Sequence, residues 1–292
     1  MSAWLDTMLS FLEAHWPDAK YFFNSVFFMA IAGSLAGAFA GARAAQKMAD
    51  KARNRDELLK ELRATNAAIM VAFGICNSLL SAKRQHIKSL KETFDQHKIE
   101  TKDAITRQQA GTGGEIKFLA DYRIVPDLNV PVFPLQTQIL ERLSWPGRPI
   151  LLVTTLAQTV EALNLSIRKR NQLIDSFKAG TMPVNQVLAL YFGFVFGGRV
   201  NEEYANTVEA IYRQTNDAIF FSSQLCRELS SHGDRLLASF KRRFGRGAPG
   251  ILKPDFAQAG SADLMPDETD YADWMNMFAG RPQESAAKPK AS

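Results

Sequence analysis

The chain has little cysteine: Cys76 and Cys226 are the two thiols among 292 residues. Two cannot build a disulfide framework, and neither lies in a CxxC pair. Both sit among apolar residues at helical spacing, which reads as two buried, reduced thiols. Catalytic signatures are also missing. GTGG at 111–114 has no Walker lysine after it, and GxGxxG, HExxH, GxSxG and EF-hand patterns do not occur. His86 and His97 are eleven residues apart on one predicted helix. That separation is about 16 Å along the axis, too far to share a metal. His232 follows Cys226 with no third group to complete a dyad. Neither an enzyme, nor a metal, nor a cofactor is expected.

A strong excess of one charge is lacking too. The formal net charge is +5 and the pI about 9.2. Acids are mixed with the bases, and no zinc-finger spacing, RRM signature or basic stripe with interleaved aromatics appears. No nucleic-acid partner is expected.

Against these absences stands one long apolar run, Tyr21 to Ala42, without a charged residue. As a helix its 22 residues rise ~33 Å, enough to cross a ~30 Å hydrocarbon core. Its first half is bulky (Phe22, Phe23, Phe27, Phe28) and its second half small. Gly33, Gly37 and Gly41 recur every fourth residue, a spacing that lets two helix backbones approach in lipid. These three glycines are the candidate oligomerisation residues, and the first expected partners are the lipid bilayer and the chain itself. The acidic N-terminal flank and long apolar core do not suit a cleaved signal peptide. Arg43, Lys47, Lys51, Arg53, Arg55, Lys60 and Arg63 follow the run, and only Lys20 precedes it closely. The positive-inside rule then predicts a single-pass cell-membrane protein, N-terminus outside and the bulk cytoplasmic.

Residues 1–17 place Trp4, Leu5, Met8, Leu9, Leu12 and Trp16 on one face, predicting an amphipathic interfacial helix. Residues 18–43 are the predicted transmembrane helix. From 44 to 244 the pattern predicts a cytoplasmic helical bundle with coiled-coil-like long helices. The first of them continues from the anchor to about residue 98. Pro149 opens a second helix, which Gly180 ends; Pro183 opens a third, stopping near Gly197-Gly198. Asn201 caps a long fourth helix that closes on Lys241-Arg242-Arg243. An irregular insert, 101–148, carries GTGG and four prolines, and its short apolar runs either pair as minor strands or simply cover the bundle.

Residues 63–81 and 213–231 share Arg, Thr-Asn, Ala-Ile, Cys, Leu and Ser at a constant offset of 150. Duplication of one helix is the structural reading; coincidence between two helices of similar composition is the other. Asn66 and Asn216, matched in this register, are expected to bond between helices.

Residues 245–292 read as a disordered tail with a short aromatic motif at 267–279. Tyr271, Trp274 and Phe278 share one side of that motif, and either docking on the bundle or binding an unidentified protein partner would account for them. The fold class is therefore all-α, with one N-terminal span. The expected function is a membrane-anchored, self-associating helical scaffold for protein–protein interaction. The alternative is an oligomeric pore-forming or membrane-perturbing effector, against which the lack of a repeated polar face in the span counts.

Overall fold

In a computed structural model of the chain, the described residues are 26–113, 116, 118–144, 147–256 and 261–276, with the side chains of Phe27 and Phe28 outside the description. The predicted interfacial helix 1–17, the first residues of the apolar run and Phe278 lie outside them. Helix makes up 78% of the structure and strand 2%, so the all-α class holds. Two compact units divide at residue 58.

The first unit contains the start of α1, Val26–Ala82. No proline interrupts this helix, and its one glycine beyond the apolar run, Gly74, is tolerated inside it. Residues 33–57 are exposed. The helix continues past the expected end near 98. A π-helical turn, Lys83–Ile87, leads directly into α2, Lys88–Gln109.

The second unit is the bundle. After α2 come α3 (Val132–Arg142), α4 (Arg148–Lys178), α5 (Val184–Phe192) and α6 (Glu203–Phe244). The stops and starts follow local chemistry. Pro149 sits in the first turn of α4. Gly193 ends α5 in the left-handed region at φ 74°, where a Cβ would be strained. The Asn201 side chain accepts from the Glu203 N–H at 2.8 Å, holding the start of α6. The core joins Ile69, Ile75 and Leu79 of α1, Leu156, Leu163 and Ile167 of α4, and Ile211, Ile219 and Leu225 of α6.

Two expectations need correction. The insert forms no strand among its described residues; Ile116 and Phe118–Pro131 run irregularly and then enter α3. Its backbone is satisfied by side chains instead of a neighbouring strand. Asn164 pairs with both the N–H and C=O of Leu128, at 2.8 and 3.0 Å, and Asn171 does the same for Val125, at 3.2 and 2.7 Å. The two described strands lie elsewhere, where Val195–Phe196 (β1) pairs antiparallel with Arg199–Val200 (β2). Gly197 and Gly198, at φ 58° and 74°, make the two-residue turn between them.

The second correction concerns the tail. Residues 250–256 and 261–276 do not behave as a solvated tail: they lie along α1 and α6. Leu264 is buried, and Ile251, Phe256, Met265, Tyr271, Trp274 and Met275 pack against the core. Two 3₁₀ turns, Ala262–Leu264 and Glu268–Tyr271, and a short α7, Ala272–Asn276, shape this strap.

Candidate functional site

Chemistry-bearing groups in the bundle are arranged for packing. Cys76 and Cys226 are buried, and burial pushes the Cys76 thiol up to about 11 and that of Cys226 higher still. Such thiols are poor nucleophiles at neutral pH. Among the described residues no group of three or more His, Cys, Asp or Glu side chains could hold a metal. His232 Nε2 lies 3.1 Å from Glu61 Oε1, and the same oxygen accepts from the Ser144 N–H and hydroxyl at 2.9 and 2.6 Å. Burial lowers the His232 pKa, with Glu61 opposing. The ring is therefore a neutral donor to a carboxylate that ties α1, α6 and the segment before α4 together.

Arg170 is wholly buried, and among the described residues no carboxylate lies within ion-pair distance of it, although its charge reaches Asp121. Its guanidinium donates to the carbonyls of Arg123 and Asp121 and faces the Tyr204 ring at 5.9 Å. Around it Tyr191 and Tyr204 stack at 4.4 Å, with Phe94, Phe118 and Phe177 close by. The arginine thus fastens the insert over an aromatic cluster, continuing the row of Asn164 and Asn171 along α4.

The strap is held by a second set of fasteners. Asn66, expected to bond another helix, reaches the strap instead: its amide donates to the Gly250 carbonyl at 2.8 Å and accepts from the Leu252 N–H at 3.1 Å. Its counterpart Asn216 does not repeat this, and its Oδ1 is buried without a hydrogen bond. Thr65 and Thr215, the neighbours of these two, bond their own helices at Glu61 and Ile211. Short side chains on a helix reach the carbonyl four residues back more easily than a facing helix.

Further along, Ser230 donates to the Leu252 carbonyl at 3.0 Å. Lys83, buried in the π-helical turn, donates to the Leu264 carbonyl at 2.7 Å and lies over the Tyr212 ring. Burial lowers its pKa. Tyr271 stacks on Phe220 at 3.8 Å and donates to Asp217 at 2.8 Å. Trp274 meets Phe221 at 5.3 Å and Phe220 at 5.9 Å, with the Arg148 guanidinium 5.7 Å from its ring. Two of the three aromatics chosen from the sequence thus lie together on α6; Phe278 lies outside the description.

No family model, curated protein or solved structure matches this chain. Function has to be read from its own surfaces.

The glycine ladder lies in the other unit. A Cβ placed on Gly33, Gly37 or Gly41 would meet nothing within 4 Å. The apolar residues around them are as open: Met29, Leu35 and Phe39 are 65%, 65% and 69% exposed. Two helices, α1 and α4, have the length and hydropathy to cross a membrane. They differ in what they do with that surface. The apolar stripe of α4, Leu152 to Phe177, is buried in the bundle, whereas residues 29–42 of α1 leave theirs uncovered apart from the half-buried Ala32.

Proposed function

We propose that the protein is a membrane-anchored, self-associating helical interaction protein without catalytic activity. The observation that carries this reading is the uncovered apolar surface of residues 29–42, where the other apolar stripes among the described residues are covered. Fully exposing a large aliphatic or aromatic side chain costs about 1.5–3 kcal/mol, so a run of them needs lipid or a second copy around it. Lipid covers the bulky side chains. The small face of Gly33, Gly37 and Gly41, open in the single chain, accepts the same face of another copy.

The flanking charge supports an orientation with the N-terminus outside and the bundle in the cytoplasm. The bundle would serve as the platform, and Tyr271 and Trp274, packed on Phe220 and Phe221 of α6, would be the groups a protein partner engages on lifting the strap.

The test is the mass of the detergent-solubilised complex, with crosslinking of wild type and Gly37→Leu side by side. The wild type is expected as an oligomer, and Gly37→Leu as smaller species. Identical crosslinked ladders would remove the glycine face from the interface.

A further inference from the structure

The uninterrupted helix around residue 42 fixes the phase between two ladders. Small residues occupy every fourth position from Gly33: Gly37, Gly41, Ala45 and Ala49 follow. The next two positions of that ladder, Arg53 and Glu57, carry charge but neutralise each other in a 2.9 Å ion pair. A second ladder, Arg43, Lys47, Lys51 and Arg55, has the same four-residue step. From Gly41 to Arg43 is two residues, about 200° around the axis, so Arg43 stands opposite Gly41; each four-residue step turns the ladder about 40° further, which brings Lys51 and Arg55 round to the side of Gly33 and Gly37, about five turns before them. All four cations are exposed, and none enters an ion pair among the described residues. Of the acids nearby, Glu57 binds Arg53, and Asp50 strengthens the field on Arg53; Asp56 lies off the stripe.

We propose that Arg43, Lys47, Lys51 and Arg55 form a binding stripe for anionic phospholipid headgroups. This rests on the membrane-anchored reading and names the lipid class the anchor selects. The charge-free run ends at Ala42, so the first cation stands at the edge of the hydrocarbon. Lys47 is ~6 Å further along the helix, within a headgroup layer ~5–7 Å thick on each side of the bilayer. Lys51 and Arg55 stand ~12 and ~18 Å from Arg43. Their Cα–Cβ bonds tilt toward the helix N-terminus, so the long side chains reach back toward the membrane. The field of an anionic leaflet extends over a Debye length of ~8–10 Å, within reach of those side chains. With Gly33, Gly37 and Gly41 turned to a second copy, Arg43 points away from that contact and Lys47 to its side, while Lys51 and Arg55 stand on the contact side but beyond the hydrocarbon. A phosphodiester is the complementary partner: Arg binds it through a planar fork and Lys as a point charge.

The experiment uses the full-length chain reconstituted in phosphatidylcholine vesicles with and without phosphatidylglycerol. The lipid kept through re-extraction in mild detergent is quantified by mass spectrometry. Wild type is expected to retain phosphatidylglycerol several-fold over phosphatidylcholine, with the excess falling as salt rises. Lys47→Gln should lower that excess about five-fold at low ionic strength. Arg43→Gln, Lys47→Gln, Lys51→Gln and Arg55→Gln together should abolish it, whereas Lys47→Arg with Lys51→Arg should keep it. Equal enrichment in wild type and the fourfold variant overturns the proposal. So does stripe-dependent retention of duplex DNA stronger than that of phosphatidylglycerol. Alkaline carbonate extraction scores the anchor separately. A chain that washes off refutes the span, and its flotation with phosphatidylglycerol vesicles still scores the stripe.

Discussion

Cys76 and Cys226 hold each other's helices in a reciprocal pair of contacts. The Cys76 thiol faces the Ile219 carbonyl at 4.0 Å, and the Cys226 thiol faces the Ile69 carbonyl at 3.9 Å. Ile219 stands 150 positions after Ile69, and Cys226 stands 150 after Cys76. The matched segments of α1 and α6 therefore meet in a locally two-fold way. The internal similarity is a property of the packing, whatever its origin.

Both thiols should be inert in the folded protein. At pH 8 a thiol-specific reagent is expected to label neither within the time that labels both in denaturant, because burial raises both pKa values and shields both sulfurs. Cys76→Ala and Cys226→Ala should each cost about 1–2 kcal/mol in urea unfolding, and to a similar extent. Fast labelling of either cysteine in native protein would contradict the contact.

Gly233 gives the strap its seat. A Cβ there would stand 2.8 Å from Ile251 Cδ1 and 2.9 Å from its Cγ2. Ile251 enters the core only because α6 has no side chain at this point. Gly233→Val is expected to eject Ile251 and loosen the strap, at about 1–3 kcal/mol from overpacking. Limited proteolysis should then cut between residues 245 and 256 faster than in wild type. Gly74→Val, at a position with nothing within 4 Å, is the control for helix propensity alone.

Acid should weaken the bundle through His232. Its ordinary value is 6.5, and burial lowers it in the fold. The unfolded chain therefore binds the proton more readily than the folded one. The stability that depends on the neutral ring is complete above about 6.5 and is lost as pH falls through the lower, folded value. The groups acting on the ring are the Glu61 carboxylate, which favours protonation, and Arg235, which opposes it. Urea midpoints from pH 7.5 down to 5 should fall for wild type and fall less for His232→Gln. Parallel curves would show that the ring does not set this slope.

Much of this architecture is legible in the sequence because it rests on local rules. Periodic apolar residues mark α1, α4 and α6, and the punctuation at Pro149, Gly180 and Asn201 lies where the helices change. Only the aromatic end of the strap shows in the sequence, where Tyr271 and Trp274 read as a motif that docks on the bundle or on a partner. Ile251, Phe256 and Leu264 are five and eight residues apart, with no period of 2 or 3.6, and escape such reading. Lys83 is hidden for a related reason: a lysine in a polar run reads as solvated until the π-helical turn directs it under Leu264. Asn66, Asn164 and Asn171 read as ordinary polar helix positions, because the backbone groups they serve come from distant chain.

Those asparagines make the sharpest stability test. Asn171 satisfies both main-chain groups of Val125, whose side chain is buried, and Asn164 does so for Leu128 one clamp further on. The insert has no ladder partner, so truncating an asparagine leaves an N–H and a C=O without their bonds. The cost is about 1–3 kcal/mol where those groups stay away from water. Asn171→Ala should therefore destabilise the fold more than Asn206→Ala, at an exposed position of α6. The change should be local before it is global: hydrogen exchange at Val125 and Leu128 should quicken while the amides of α6 keep their protection. Asn171→Asp separates geometry from capacity. The carboxylate still accepts from the Val125 N–H but can no longer donate to its carbonyl, so a carboxylate should restore only the N–H half of the protection. If Asn171→Ala leaves exchange across 121–131 unchanged, the insert is held by its side chains and by Arg170, and the amide clamps are incidental.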